Sequence, residues 1–244
     1  MKAENLTFIA HRGGADEAPE NTLSAFQRVR QLGIGSVELD VRITIDDRVV
    51  VIHDRVLPEA GGVLCGRAVE ELTWEELQTL NVGTRENPEP PPLLEHVLQL
   101  GWSDACRLMI ELKTGGRDDA LVQGVVDVVG RSSDTSALLW GSFEIEMVMG
   151  LHRAIPSVPL VGIAYSESMI DIQGALPLTV WALSVQAALS SSRSALDLCS
   201  VPLWCWTVND AGSLPVLVSA GVTGFITDRP SALRESLLGD GNAI

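Results

Sequence analysis

Ser36-Val37-Glu38-Leu39-Asp40-Val41 reads as an apolar strand carrying two acids set two residues apart. Side chains alternate across a strand, so Glu38 and Asp40 share one face. Three further stretches have the same build. Phe8-Ile9-Ala10 leads to His11, Val49 to Ile52 leads to His53, and Leu108-Met109-Ile110 leads to Glu111, with Lys113 two residues on. A fold that ends several parallel strands in acids, histidines and a lysine gathers those side chains at one mouth. In a (β/α)8 barrel that mouth is the C-terminal face, where active sites are built. Two histidines, three carboxylates and a cation in one place suit metal-assisted phosphoryl or acyl chemistry.

Working outward, eight strand candidates follow one another: Thr7–Ala10, Ser36–Leu39, Leu108–Leu112, Ala137–Gly141, Pro159–Ile163, Thr179–Leu183, Leu203–Thr207 and Gly224–Ile226. Most are short apolar runs without strict alternation, as expected of parallel strands buried on both faces. Helical patterns lie between them. Asn21-Thr22 precedes Leu23, Phe26, Val29 and Leu32 at helical spacing, with Gly33 as the stop. Asp118–Val129 and Asp210–Ser219 read as two more helices. This alternation predicts an α/β protein, a (β/α)8 TIM barrel with a small insertion after the second strand. Residues 1–244 then form a single domain, and the insertion occupies about residues 55–92. Within it Thr73 reads as an N-cap before Trp74-Glu75-Glu76-Leu77, and Asn87 to Pro92 reads as a stiff, extended connector.

Composition narrows the function. The 244 residues are 46% hydrophobic, yet no apolar run reaches the ~18 residues of a membrane span. Met1 to Asn5 shows no signal-peptide pattern, which favours a cytoplasmic protein. The net charge of −15 disfavours nucleic acid and anionic membrane surfaces as partners. The same charge requires a local cation wherever an anionic substrate binds. Cys65, Cys106, Cys199 and Cys205 form no CxxC pair and read as reduced thiols.

Glu38, Asp40 and Glu111 offer hard oxygen donors, which suit Mg²⁺ or Ca²⁺ better than Zn²⁺. His11 and His53 are the natural acid–base pair, since histidine exchanges protons near neutral pH. Each is followed by a charged neighbour, Arg12 or Asp54, and Asp54 could orient a ring or cap the next turn. His96 and His152 lie on helical runs and read as structural. Arg12-Gly13-Gly14 sets a guanidinium beside a flexible backbone, and Lys113 adds a point charge for phosphate. Trp206, ahead of Thr207 and Asn209, offers either a flat wall at the mouth or ordinary barrel packing.

These words together resemble one family. HRG (His11–Gly13), APENT (Ala18–Thr22), ELD (Glu38–Asp40), a Thr44-to-Asp54 stretch ending in HD, PLLEHVL (Pro92–Leu98), IELK (Ile110–Lys113), GSF (Gly141–Phe143), WTVN (Trp206–Asn209) and ITDRP (Ile226–Pro230) resemble the glycerophosphodiester phosphodiesterases. The resemblance spans nearly the whole chain and is closest to the compact cytosolic bacterial type. It implies a TIM barrel that hydrolyses glycerophosphodiesters to sn-glycerol 3-phosphate and an alcohol with a divalent metal. On matching positions it implies Glu38, Asp40 and Glu111 as metal ligands, His11 and His53 as acid and base, and Arg12 and Lys113 as phosphate contacts. Two stretches depart from the family pattern. Leu57 is followed by Pro58-Glu59-Ala60-Gly61-Gly62, where the family has an Asp-Arg-Thr-Thr-like run, and Thr223 stands where aspartate is common. The first departure lies in the insertion and bears on the leaving alcohol.

Two rival readings have their own discriminants. A lysophospholipase D-type enzyme would want an apolar ramp at the mouth, for which Val56, Leu57, Val63 and Leu64 are few. A non-catalytic barrel would be expected to lack a metal ligand or a histidine, and none is missing. Metal dependence separates either enzyme from the scaffold. Glycerophosphocholine against lysophosphatidylcholine separates the two enzymes. The expected partner is a small-molecule glycerophosphodiester, without stable membrane association.

Overall fold

A computed structural model describes residues 6–132, 134–173, 176–190 and 201–239. Eight parallel strands close on themselves: β1 (Thr7–Ala10), β2 (Ser36–Ile43), β4 (Arg107–Leu112), β5 (Leu138–Ser142), β6 (Leu160–Ala164), β7 (Leu178–Ser184), β8 (Leu203–Trp206) and β9 (Val222–Thr227). Closure is made by β1, which pairs with β9 from Thr7↔Gly224 to Ala10↔Thr227 and with β2 at Ile9↔Ser36 and Ala10↔Val37. Outside the barrel lie α1 (Leu23–Gln31), α3 (Leu94–Leu98), α4 (Asp118–Gly130), α5 (Ile145–Ala154), α6 (Glu167–Gln173), α7 (Val185–Ser190), α8 (Leu214–Ser219) and α9 (Pro230–Gly239). The expected TIM barrel is therefore the fold. The helix expected over Asp210–Ser219 divides into a 3₁₀ turn at Ala211–Ser213 and α8, where Pro215 enters the first turn.

Alternation along each strand sorts the core into two layers. Phe8, Val37, Leu39 and Leu108 face the helices, while Ile9, Met109, Leu139, Val161, Trp204 and Ile226 fill the barrel interior. The strands of the sequence reading are right in place and agree within one or two residues at each end, except the second, expected to end at Leu39, which continues to Ile43. Glu38 and Asp40 lie inside β2, which runs on to Ile43, and Glu111 lies inside β4. The extra length of β2 comes from β3 (Val49–Val51), which pairs antiparallel with it at Val41↔Val51, Arg42↔Val50 and Ile43↔Val49. His53 consequently does not end a parallel strand. The hairpin turns over Thr44 to Arg48 and brings the chain back down toward the barrel, where the Ile52 amide donates to the Asp40 carbonyl at 3.0 Å.

The insertion follows β3 and has its own small core of Val50, Leu57, Val69, Leu72 and Leu77. Its helix α2 (Trp74–Leu77) starts as expected, with the Glu76 amide donating to the Thr73 hydroxyl and the Thr73 amide to the Glu76 carboxylate. The insertion is tied to the barrel on both sides: the Ile45 amide donates to the Leu72 carbonyl, and the Val51 amide to the Pro92 carbonyl. Cys65, Cys106 and Cys205 are free thiols, while Cys199 and the tail at 240–244 lie outside the described residues. No helix among the described residues is long and apolar enough to cross a membrane.

Trp204 fits the barrel floor only because Gly224 on the next strand has no side chain. A Cβ there would come within 2.2 Å of the indole. Gly224→Ala is expected to cost about 1–3 kcal/mol by overpacking, read as a lowered urea midpoint. An unchanged midpoint would show that Trp204 has room to move.

Candidate active site

The sequence-predicted residues meet at the C-terminal end of the barrel. His11, Arg12, Glu38, His53, Glu111, Lys113 and Trp206 all line one cavity of about 210 Å³, closed below by Met109, Ile163 and Ile226. Asp40 lies just beneath, fully buried. A larger cavity of about 540 Å³ lies on the outer face between β3 and α4. Its three arginines are paired, Arg48 and Arg131 with Glu95 and Arg117 with Asp47, and it contains none of these groups. His96 and His152, on α3 and α5, stay out of the site as expected.

Each position has a local cause. After β1 the chain turns sharply, with Arg12, Gly13 and Gly14 all in the left-handed region at φ of 52°, 85° and 89°. A non-glycine residue pays for that conformation only when its surroundings fix it. Here the Arg12 amide donates to Glu38 Oε2 at 3.0 Å, and its carbonyl accepts from the Asn21 amide at 2.8 Å. Gly13 has a packing reason as well, since a Cβ there would meet Ala25 Cβ at 2.8 Å.

The three carboxylates Glu38, Asp40 and Glu111 are buried, and one oxygen from each lies within 4.8 Å of the others. Two cations face them. Lys113 Nζ pairs with Glu111 and lies 3.1 Å from Asp40 Oδ1, and Arg12 Nε lies 3.2 Å from Asp40 Oδ2. Asn21 Nδ2 also donates to Asp40 Oδ2 at 3.0 Å. Burial works to raise the Asp40 carboxyl, but Lys113, Arg12 and His53 outweigh it and hold it below the usual range. Glu38 has no such escort. Burial, then the charge of Asp40, pushes it up to about 8. Glu111 is raised mainly by burial despite Lys113. Glu38 Oε1 and Asp40 Oδ1 are buried without a hydrogen bond. Three clustered hard oxygens, with Glu38 Oε1 unpartnered and Asp40 Oδ1 met only by the Lys113 ion pair, are a set that could hold a divalent metal ion.

Both histidines are held at Nδ1 by a carboxylate. His11 Nδ1 lies 2.6 Å from Asp228 Oδ1, and His53 Nδ1 lies 2.8 Å from Asp54 Oδ1. In the neutral ring each Nδ1–H then donates, which leaves Nε2 free to exchange a proton. Asp228 is itself fixed: Asn209 Nδ2 donates to its Oδ2 at 2.6 Å, and Asn209 Oδ1 accepts from the Asp228 amide at 2.9 Å. Asp228, Asn209 and Asn21 received no role from the sequence. The available signal for Asp228 is its place in Ile226–Pro230, just after the last strand candidate. Opposite the acids stands an aromatic wall, with Phe143 edge-on to Trp206 at 5.6 Å and Lys113 Nζ over the Phe143 ring at 5.7 Å. Trp206 Nε1 donates to the Ala182 carbonyl at 3.0 Å, and the Trp206–Thr207 peptide is cis.

Burial lowers the His11 pKa, but its bond to Asp228 and the charge of Glu38 outweigh this and leave it above the ordinary histidine value. A raised value means that protonation of His11 adds stability below its unfolded pKa. That stability is lost as pH rises through the folded value. Asp228→Asn should therefore move the His11 titration to lower pH in an NMR experiment. A midpoint that stays in place would show that Asp228 does not hold the proton.

With this geometry in view, the chain compares with known proteins as follows. The model of the "Glycerophosphoryl diester phosphodiesterase family" matches residues 11–232. The Bacillus subtilis protein YhdW is 30% identical over 235 residues, covering 92% of this chain and 95% of its own. Human lysophospholipase D GDPD1 is 25% identical over 275 residues, covering 94% and 85%. The structure of an Oleispira antarctica phosphodiesterase in complex with its product sn-glycerol-3-phosphate superposes with a TM-score of 0.84 at 22% identity, covering 97% and 99%.

Proposed function

This chain belongs to the glycerophosphoryl diester phosphodiesterase family, and we propose that its site hydrolyses glycerophosphodiesters to sn-glycerol 3-phosphate and an alcohol. The observation that carries this reading is the buried cluster of Glu38, Asp40 and Glu111 set beside two histidines with free Nε2 atoms. The product bound by the Oleispira enzyme supports the same product here.

Glu38, Asp40 and Glu111 would hold the divalent ion, and their oxygen-only donor set favours Mg²⁺ or Ca²⁺. Such an ion, when bound, supplies Lewis-acid stabilisation of charge on a phosphoryl oxygen. Arg12 and Lys113 bind the remaining phosphate oxygens and offset the charge that builds as phosphorus gains a fifth ligand. One of His11 and His53 takes the proton of the attacking oxygen, either water or a neighbouring glycerol hydroxyl. The other returns a proton to the departing alkoxide. Asp228 and Asp54 keep each ring in the tautomer that presents Nε2 to the cavity. Trp206 and Phe143 form an apolar wall that shields one side of the substrate from water.

The human relative favours a second reading, lysophospholipase D action on the same site. The insertion carries two exposed apolar side chains, Val56 and Val63.

Glycerol 3-phosphate release from glycerophosphocholine and glycerophosphoethanolamine tests the proposal. Release is expected with Mg²⁺ or Ca²⁺, and neither with excess chelator nor in Glu38→Ala. His11→Ala and His53→Ala should each lower turnover by on the order of 10²–10⁴. Wild-type turnover in either variant would remove that histidine from the chemistry. Absence of release with any metal, alongside choline release from lysophosphatidylcholine, would replace the first reading with the second.

A further inference from the structure

Arg42 sits on β2 two residues past Asp40, beyond the last pairing of β2 with β4 at Val41↔Leu112. It is half-buried and touches none of the carboxylates of the site within ion-pair distance. Its guanidinium instead takes two main-chain carbonyls. Nε donates to the His53 oxygen at 2.7 Å, and Nη1 donates to the Thr114 oxygen at 2.7 Å.

Those two carbonyls belong to different strand exits. His53 follows β3, whose ladder with β2 ends at the bond from the Ile52 amide to the Asp40 carbonyl. Thr114 follows Lys113, whose own amide donates to the Val41 carbonyl at 3.1 Å. One planar group therefore joins the backbone at His53 to the backbone beside Lys113. Asp54, a carboxylate 56% exposed to solvent, meets the His53 ring and sets its tautomer. An exposed ion pair adds little energy, whereas Arg42 holds the His53 backbone from the half-buried side.

We propose that Arg42 is a positioning residue that sets His53 against Lys113 through these two carbonyls, without touching substrate. The proposal rests on the reading of His53 as an acid–base group. A lysine keeps the charge but is a point donor, and cannot span two carbonyls as the rigid guanidinium fork does.

The test uses Arg42→Met and Arg42→Lys. In Arg42→Met, kcat for glycerophosphocholine should fall by about 10–100-fold, the usual cost of losing a group that orients a site residue, while KM stays close to wild type. Arg42→Lys should fall between the two. Because Arg42→Lys retains the charge, a displaced His53 imidazole resonance in its substrate-free NMR spectrum reports geometry. Wild-type kcat in a folded Arg42→Met overturns the proposal, as does a loss matched by an equal loss of folded protein. If Arg42→Met does not fold, wild-type kcat with an unmoved His53 resonance in Arg42→Lys overturns it. A wild-type protein without phosphodiesterase activity would defeat the functional reading alone, and the His53 resonance in Arg42→Lys then decides the role of Arg42.

Discussion

Three carboxylates buried at one end of a barrel must be neutralised, and much of the local structure answers that requirement. Removing an ion from water costs several kcal/mol even after relaxation. Asp40, fully buried on β2, collects Lys113 from just past β4, Arg12 from the turn after β1 and Asn21 from just before α1. The two non-glycine residues with positive φ nearest the site, Arg12 and Asn21, are two of these three partners. Their strained backbone is the geometric consequence of bringing two donors down onto one acid. Glu38 takes a donor from the same turn, the Arg12 amide. Charge at the centre thus dictates the shape of the first βα connection, and through Thr22, which caps α1 by accepting from the Ala25 amide, where the first helix begins.

The second histidine reaches the site by a different device. A parallel barrel can place a residue at its mouth simply by ending a strand there. His53 arrives from above, returned by a hairpin whose outgoing arm is the extension of β2 past the barrel rim. Such an arm is a short ribbon with one edge unpaired, and its rigidity has to come from elsewhere. The insertion supplies part of this by packing Leu72 and Leu77 beneath Val50. The loop after β4 is tied in too, because Glu70 of the insertion accepts from the Gly116 amide at 3.1 Å. The insertion is thus a buttress for His53, one half of the proposed acid–base pair, a structural reason for it to sit at this point in the chain.

This difference explains what the sequence could and could not disclose. Glu38, Asp40, Glu111 and Lys113 were legible because strand alternation alone puts them on one face, and the barrel supplies the rest. His53 was legible as a residue, but its route was not. Val49 to Ile52 reads as the same apolar run whether the strand is parallel or antiparallel, since side-chain period is two in both. Asp228 carried no role because its partner, His11, lies 217 residues away. That pairing exists only once β9 closes onto β1, a relation that no local pattern encodes. Asn21 reads as a residue preceding the first helix, which it is, and its further task of donating to Asp40 depends on the left-handed turn around Arg12. Periodicity makes a residue's face legible in the sequence, whereas contacts between distant segments leave no local trace.

The overall charge of −15 makes the placement of the two site cations consequential. A phosphodiester is an anion and gains nothing from the long-range field of this protein. Its attraction must come from charges within a few ångströms, where screening by solvent is weakest. Yet in this structure Arg12 and Lys113 face inward onto carboxylates, so their positive charge is already largely spent. On the proposed reading, a divalent ion on Glu38, Asp40 and Glu111 would relieve both of that duty, because the acids then have a nearer counter-charge. Substrate affinity and metal affinity become linked through the same two side chains. Carboxylates buried deeply enough to need neutralising, and cations close enough to be shared, are the condition for that linkage, and the first βα turn and the β3 hairpin maintain it.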